Sequence, residues 1–198
     1  MKKDFIHAPV EVQTKELIRI VRLNPVIKEL LDNLKLPNFH PWYIGAGCVN
    51  QTVWNYLTDR DITYSIGDYD VVYWDDDYTR EKEVSLENSL LKQFKHLGMK
   101  KIDLTNQAGV HKWFHKKFGK KIDQYLCLEH AISTWPATVT CVGVTKKDKK
   151  VSVFAPYGLS DIFSMVLRQN RPHAVDRVRK IKFEKWKSKW PELTIIKS

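Results

Sequence analysis

The spacing of apolar residues near the N-terminus predicts two helices. The first is expected over residues 15–21 with Thr14 as its N-cap, and the second is expected to begin at Asn24-Pro25. The apolar residues of the second helix recur at the helical period, at Val26, Ile27, Leu30, Leu31 and Leu34. We expect this pair to form a helical cap on the rest of the chain.

Short apolar runs bounded by polar residues predict strands further along the chain. They lie at residues 42–44, 68–74, 101–104, 137–145 and 151–154, the last two as an antiparallel hairpin. Segments with helical spacing separate or follow them, at residues 49–57, 80–97, 106–118, 159–167 and 172–189. This order predicts a sheet that packs against helices.

Length and composition predict one globular domain over residues 1–198. The chain is 43% hydrophobic and has seven Trp, which excludes a disordered chain. We expect a core over about 41–168 and a basic helical extension over 172–198, with Pro172 at the boundary. The N-terminus lacks the apolar stretch of a signal peptide, and no run approaches the roughly 18 apolar residues that span a bilayer. We therefore expect a cytoplasmic protein with no membrane partner.

The three cysteines, Cys48, Cys127 and Cys141, are odd in number and widely spaced. This pattern indicates reduced thiols rather than a disulfide framework or a zinc site. His111 and His115 stand four residues apart on a predicted helix, but no Glu follows His111, so zinc binding is disfavoured.

The net charge of +10 indicates an anionic partner. Basic residues gather at 112–121, 146–150 and 168–189, while acidic residues gather at 68–77. The basic runs are explained equally well by solvated helix faces with a hairpin tip and by a surface that binds RNA or another polyanion. The sequence leaves both interpretations open.

Asp68 and Asp70 lie at positions i and i+2 of a predicted strand. Side chains at this spacing point to the same face, with Cα atoms about 6 to 7 Å apart, so the two carboxylates are able to share hard cations. Mg²⁺ prefers such oxygen ligands and keeps phosphate oxygens in its remaining positions, which suits NTP chemistry. The alternative is structural: one acid caps a turn at Gly67 and the other pairs with a lysine.

The Gly45-Ala46-Gly47 turn lies between the first predicted strand and the helix after it. Glycines allow backbone amides to approach an anion, and the following helix N-terminus favours negative charge. The turn is therefore a candidate triphosphate site, although a tight strand-to-helix turn needs glycine for packing about as often.

The order of strand, Gly-small-Gly turn, helix and Asp-x-Asp strand resembles the polymerase-β-type nucleotidyltransferase superfamily. Over about residues 41–168 the chain is most similar to a bacterial nucleotidyltransferase-like family, in the segments 42–47, 68–73, 106–108, 131–136 and 155–159. The resemblance implies an α+β nucleotidyltransferase fold: a small mixed β-sheet flanked by helices, with a helical N-terminal cap and a C-terminal extension. It also implies a metal-dependent enzyme that transfers a nucleoside monophosphate from an NTP to a hydroxyl acceptor of unknown identity.

In that superfamily a third carboxylate comes from a later strand, and Asp103 stands at the matching position. The resemblance implies that Asp68, Asp70 and Asp103 are catalytic and hold Mg²⁺, or Mn²⁺ in its place, with Asp103 helping to activate the acceptor. The tRNA nucleotidyltransferases carry an arginine where this chain has Asn50, so tRNA is not carried over as the acceptor. We place Asn50 with the turn as a nucleotide-binding candidate. Asn106 either binds the nucleotide or caps the following helix.

Two other classes of function stay open. One is a catalytically silent module in which the fold binds a nucleotide, RNA or another polyanion. The other is a phosphate-ester hydrolase that uses the same metal pair without an acceptor. Trp135 offers a ring for stacking, but the sequence favours a core position for it.

Overall fold

The computed structural model describes residues 5–37, 40–97, 102–170 and 176–196, with side chains in the last range from residue 182 onward. Helix α1 spans Val10–Val21 and helix α2 spans Pro25–Asn33. The side-chain oxygen of Asn24 accepts hydrogen bonds from the Val26 and Ile27 N–H groups, so the predicted start of α2 is confirmed.

Helix α1 begins after Pro9, five residues before the predicted start, and Thr14 lies inside the helix. The sequence pattern did not predict this first turn, because its apolar residues Val10 and Val12 do not belong to the buried face of the helix and are exposed. The first turn is held instead by the polar side chain of Gln13, whose Nε2 donates to the Phe5 and Ile6 carbonyls.

Five strands form one mixed sheet in the spatial order β3-β2-β1-β4-β5. Their bounds are β1 Trp42–Gly45, β2 Tyr69–Tyr73, β3 Ile102–Asn106, β4 Gly143–Lys147 and β5 Lys150–Phe154. The β2–β3 pair is parallel, and the other three pairs are antiparallel. The predicted α+β fold with a small mixed sheet is confirmed.

Helices cover one face of this sheet. Helix α3 (Gly47–Leu57) follows β1, and helix α4 (Arg80–Gln93) forms the crossover from β2 to parallel β3. Side chains that alternate along the strands, such as Ile44 and Val71, pack into the main core with Trp54 of α3. On the opposite face, Val72 packs against Leu128 and Ile132 of helix α6 (Leu128–Ser133).

Two predicted elements end earlier or begin later than expected. Helix α4 ends at Gln93 and a short 3₁₀ turn follows at Lys95–Leu97. A 3₁₀ turn at Gln107–Gly109 precedes helix α5, which spans Val110–Phe118 and ends at Gly119 in the left-handed region with φ +73°.

Two other predictions were wrong. The segment 159–167, predicted as one helix, contains the short helix α7 (Ser160–Phe163) and then the start of strand β6 (Val166–Arg168). Ser164 and Met165 separate the two elements, and Met165 has φ +56°. The hairpin strand predicted from residue 137 begins at Gly143, because Thr138–Thr140 forms a helical turn. Neither segment is long enough for its periodicity to distinguish the two structures.

The C-terminal helix α8 (Asp176–Lys189) leads to strand β7 (Thr194–Ile196), which pairs with β6 in parallel. Trp186 and Trp190 pack edge-on against Trp54 of α3, with ring centroids 5.5 Å apart in each case. The Trp190 indole also donates to the Asn55 side-chain oxygen at 2.9 Å. Pro172, the predicted boundary, lies outside the described residues. Within the described part of the chain, no helix has the length and apolar character needed to cross a membrane.

Candidate active site

Strand register brings Gly45, Asp70 and Asp103 into one row across the sheet. Gly45 of β1 is the partner of Asp70 in β2, and Asp70 is the partner of Asp103 in β3. Neighbouring strands lie about 4.8 Å apart, and partners in register point to the same face. The Thr105 hydroxyl donates to the Asp103 carboxylate at 3.4 Å. The two predicted carboxylates therefore lie side by side on the face opposite the main core.

Asp68 lies two residues before Asp70, just ahead of β2, and is exposed. Carboxylates of Asp70 and Asp103 are the hard oxygen donors that a divalent cation prefers, so this pair fits such an ion. In residues 5–37, 40–97, 102–170 and 176–196, no group of three or more His, Cys, Asp or Glu side chains has a metal-binding arrangement. A site with all three carboxylates therefore stays a prediction.

The Gly45–Gly47 turn leads from β1 directly into α3. A Cβ atom at Gly45 would lie 2.8 Å from the Val142 carbonyl and 2.9 Å from the Trp135 ring, so packing alone requires glycine there. Ala46 has φ 54° and ψ −134°, a conformation that strains any residue with a side chain. The N-cap residue of α3, Ala46, has no side-chain oxygen that could accept a hydrogen bond from the first N–H groups of the helix. Both interpretations of the turn, packing and anion binding, are compatible with this geometry.

Two buried side chains support the turn from below. The Asn50 amide, oriented with its nitrogen toward the acceptor, donates to the Ala46 carbonyl at 2.8 Å. The Cys48 thiol donates to the Gly45 carbonyl at 3.1 Å. Burial, and then the negative charge of Asp70, raises the pKa of Cys48 well above its usual range. A neutral thiol is a poor nucleophile, so Cys48 is structural.

Asn106 is 1% exposed and joins the ends of three elements. Its amide nitrogen donates to the Asp75 carbonyl at 2.7 Å, and its oxygen accepts from the Ala108 N–H at 3.1 Å. The capping interpretation of Asn106 is thus the one that the structure displays. Its neighbour Gln107 lines the cleft described next.

An aromatic cleft of about 260 Å³ opens on the Asp70 face of the sheet. Five rings line it, those of Trp113, Phe114, Phe118, Tyr125 and Trp135. Asp70 and Ala46 also line it, and Lys182 of α8 is the one cation among its described lining residues. A planar, anionic ligand suits these walls because its rings would stack and its charge would meet Lys182.

A second, polar cleft of about 450 Å³ lies beside β3. Asp103, Arg80, Glu83, Tyr78 and Lys117 contribute to its walls. Thr105 and Trp113 line both clefts, so the two clefts meet beside the Asp70–Asp103 pair.

Sequence reasoning did not assign the aromatic rings or Lys182 to the site. Helical spacing over residues 106–118 puts Trp113, Phe114 and Phe118 on one apolar side of a helix, and periodicity does not show whether that side faces a core or a cleft. Lys182 was one of many basic residues near the C-terminus. Gly45 was the available signal, because a glycine within a strand indicates that another group approaches the backbone closely, as the Trp135 ring does here.

A mixed sheet that carries paired carboxylates beside a strand–turn–helix unit defines the class of nucleotidyltransferase folds. A family profile described as nucleotidyltransferase matches residues 29–195. The chain therefore belongs to this family of transferases, and the resemblance stated from its motifs is confirmed. No curated protein sequence matches it.

Two solved structures are similar to the chain. One is an NMR structure described as a CCA-adding enzyme head domain, with a TM-score of 0.71 and 23% identity over 93% of this chain and 96% of that chain. The other is described as tRNA-processing enzyme complex 3, with a TM-score of 0.47 and 14% identity over 80% of this chain and 41% of that chain. The first supports the nucleotidyltransferase fold.

Proposed function

We propose that this protein transfers a nucleoside monophosphate from an NTP to a hydroxyl group of an acceptor. The observation that carries the proposal is the register of Asp70 with Asp103, next to Gly45 and at the meeting point of two clefts. Membership of the nucleotidyltransferase family supports it. Residues 1–198 would act as one domain, in the cytoplasm.

The aromatic cleft would hold the NTP. Its base would stack between rings such as Trp113 and Trp135, and its phosphates would approach the Gly45–Gly47 turn and Lys182. Asn50 would act by fixing the Ala46 carbonyl, and Asn106 by fixing the wall that carries Gln107. Both polar side chains would therefore position the nucleotide site from behind it.

Asp68, Asp70 and Asp103 would hold divalent cations, which we propose to be Mg²⁺ or Mn²⁺. When bound, such ions neutralise phosphate charge and stabilise the oxygens at the reacting phosphorus. Asp103 lines the polar cleft, where it would accept the proton of an acceptor hydroxyl. The hydroxyl oxygen would form a bond to the α-phosphorus as the bond from that phosphorus to the α–β bridging oxygen breaks, and pyrophosphate would leave.

Titration calorimetry with the four NTPs and Mg²⁺ tests the nucleotide site, and release of pyrophosphate measures transfer. We expect Asp70→Asn to lower the transfer rate at least about 100-fold while the far-UV circular dichroism is unchanged. Asp148→Asn is the matched control, because Asp148 lies at the exposed β4–β5 turn. Full activity in D70N would remove the proposal.

A catalytically silent binding module is the second candidate, and the lysines of α5 favour it. This module would bind a polyanion equally well after Asp68, Asp70 and Asp103 are all changed to Asn, and neither protein would transfer a nucleotide.

A further inference from the structure

The polar cleft has a strongly basic rim on one side. Residues 112–121 contain five lysines and no Asp or Glu: Lys112, Lys116, Lys117, Lys120 and Lys121, here called the lysine face. All five are exposed. In the described part of the chain, none of them forms an ion pair with an Asp or Glu side chain. The basic run at residues 146–150 differs, because Lys146 bonds to Asp32 at 2.8 Å.

Two of these lysines lie against rings that line the polar cleft. The Lys112 ammonium lies 5.2 Å from the centroid of the Tyr78 ring, and the Lys117 ammonium lies 5.6 Å from that of Trp113. Across the cleft, the Arg80 guanidinium is paired with Glu83, which is itself buried and accepts the Asn106 N–H. In the described part of the chain, the lysines on the α5 side of this cleft therefore form no ion pair, while the carboxylates of Glu87 and Asp103 line its other walls.

Trp113 connects this rim to the reaction centre. It lines both clefts, and Asp103 and Asp70 lie on either side of their junction. A ligand held by the lysine face and stacked on Trp113 would thus reach the acid pair from the side opposite the aromatic cleft. A cleft of about 450 Å³ holds a ligand of drug-like size, which corresponds to about one nucleotide, and is too small for a duplex.

We propose that the lysine face and the polar cleft bind the end of a single-stranded nucleic acid as the acceptor, with its terminal hydroxyl at Asp103. Phosphates account for the unpaired lysines, a base accounts for the half-buried ring of Trp113 in the cleft wall, and a terminal hydroxyl supplies the attacking oxygen. An acidic peptide would account for the lysines but not for the Trp113 ring or for a hydroxyl group at Asp103. This inference rests on the proposed transfer reaction and names the acceptor class.

The test measures fluorescence anisotropy of a fluorescein-labelled 12-nucleotide single-stranded RNA against the full-length protein at several salt concentrations. The variant carries Lys112→Ala and Lys117→Ala. The matched control carries Lys147→Ala and Lys150→Ala, which removes the same charge from two exposed residues paired across β4 and β5. Loss of two phosphate contacts lowers the slope of log K against log salt by about 1.4, since each contact contributes about 0.7 for a single strand.

We expect this decrease, with weaker binding, in K112A/K117A and an unchanged slope in K147A/K150A. Equal losses in both variants, equal competition by polyglutamate or by duplex RNA, or absence of RNA binding would each overturn the inference. The binding test uses no NTP, so its result is independent of D70N activity. If wild-type protein transfers no nucleotide but still binds RNA through the lysine face, the proposed reaction is wrong, and the lysine face is the binding site of the catalytically silent module.

Discussion

Replacing Gly45 with alanine tests how closely the sheet and Trp135 approach each other. A Cβ atom at this position would lie 2.8 Å from the Val142 carbonyl oxygen and 2.9 and 3.0 Å from two carbons of the Trp135 ring. The carbonyl precedes Gly143, the residue that pairs with Gly45 across β1 and β4, so the backbone has little freedom to retreat. The new methyl group must therefore displace either the strand or the ring.

The magnitude follows from two opposing effects. Overpacking in a tight core costs about 1–3 kcal/mol. Alanine also reduces the conformational entropy of the unfolded chain, which returns about 0.4–1 kcal/mol. We expect the free energy of unfolding to fall by about 1–2 kcal/mol, which lowers the melting temperature by about 2–8 °C for a chain of this length.

Urea unfolding followed by tryptophan fluorescence measures the change, with Gly67→Ala as the matched control. A Cβ atom at Gly67 meets nothing within 4 Å, so G67A changes the same backbone entropy without a clash. Trp135→Phe removes the two ring carbons nearest Gly45, and a double-mutant cycle should give a coupling energy above about 0.5 kcal/mol. The reasoning is refuted if G45A is as stable as G67A, or if the cycle shows no coupling.

Two further predictions concern backbone strain and pH. Ala46→Gly should leave the free energy of unfolding equal to wild type or raise it by up to about 2 kcal/mol, because relief of about 1–3 kcal/mol of strain exceeds the entropy cost of glycine. Ala46→Val should lower the free energy of unfolding. The opposite order of stabilities in urea unfolding would contradict the strain at φ 54°. The Lys146 ammonium lowers the pKa of Asp32 below its ordinary value of 3.8. The Asp32–Lys146 ion pair therefore stabilises the folded protein at pH values above 3.8, and this stabilisation is lost as the pH falls through the lowered pKa. Thermal midpoints should therefore show wild type more stable than Asp32→Asn from pH 5 to 7, with the difference shrinking below about pH 4, and a pH-independent difference would be inconsistent with the ion pair.

The local parts of the site could be predicted from the sequence because their signals are contiguous. A strand, a small-residue turn and a helix follow one another at residues 42–57, and Asp70 lies in a run that otherwise reads as strand. Asp103 came from the resemblance to the superfamily, and its register with Asp70 confirms only that the two residues are neighbours. Whether they act as proposed is decided by the activity of D70N.

Elements that depend on distant partners could not be predicted. Strand β6 forms because it pairs with β7, and its residue Val166 is paired with Thr194, 28 residues further along the chain. A strand of three residues is too short to show a hydrophobic period in the sequence. The aromatic cleft combines rings from α5 with Tyr125, from the loop after α5, and Trp135, which follows helix α6. Helical spacing identified the apolar side of α5 but contained no information on what faces it.

The row across the sheet links the fold to the proposed chemistry. It runs from Gly143 through Gly45 to Asp70 and Asp103. The two glycines allow the rings of Tyr43 and Trp135 to lie against the strands, so an aromatic wall stands directly beside the acids. A slip of one residue in β2 would turn Asp70 toward the main core, where an unpaired charge is costly, and would turn Val71 outward. The same alternation that stabilises this register therefore holds both carboxylates on the open face, where a phosphate-bearing substrate has access to them.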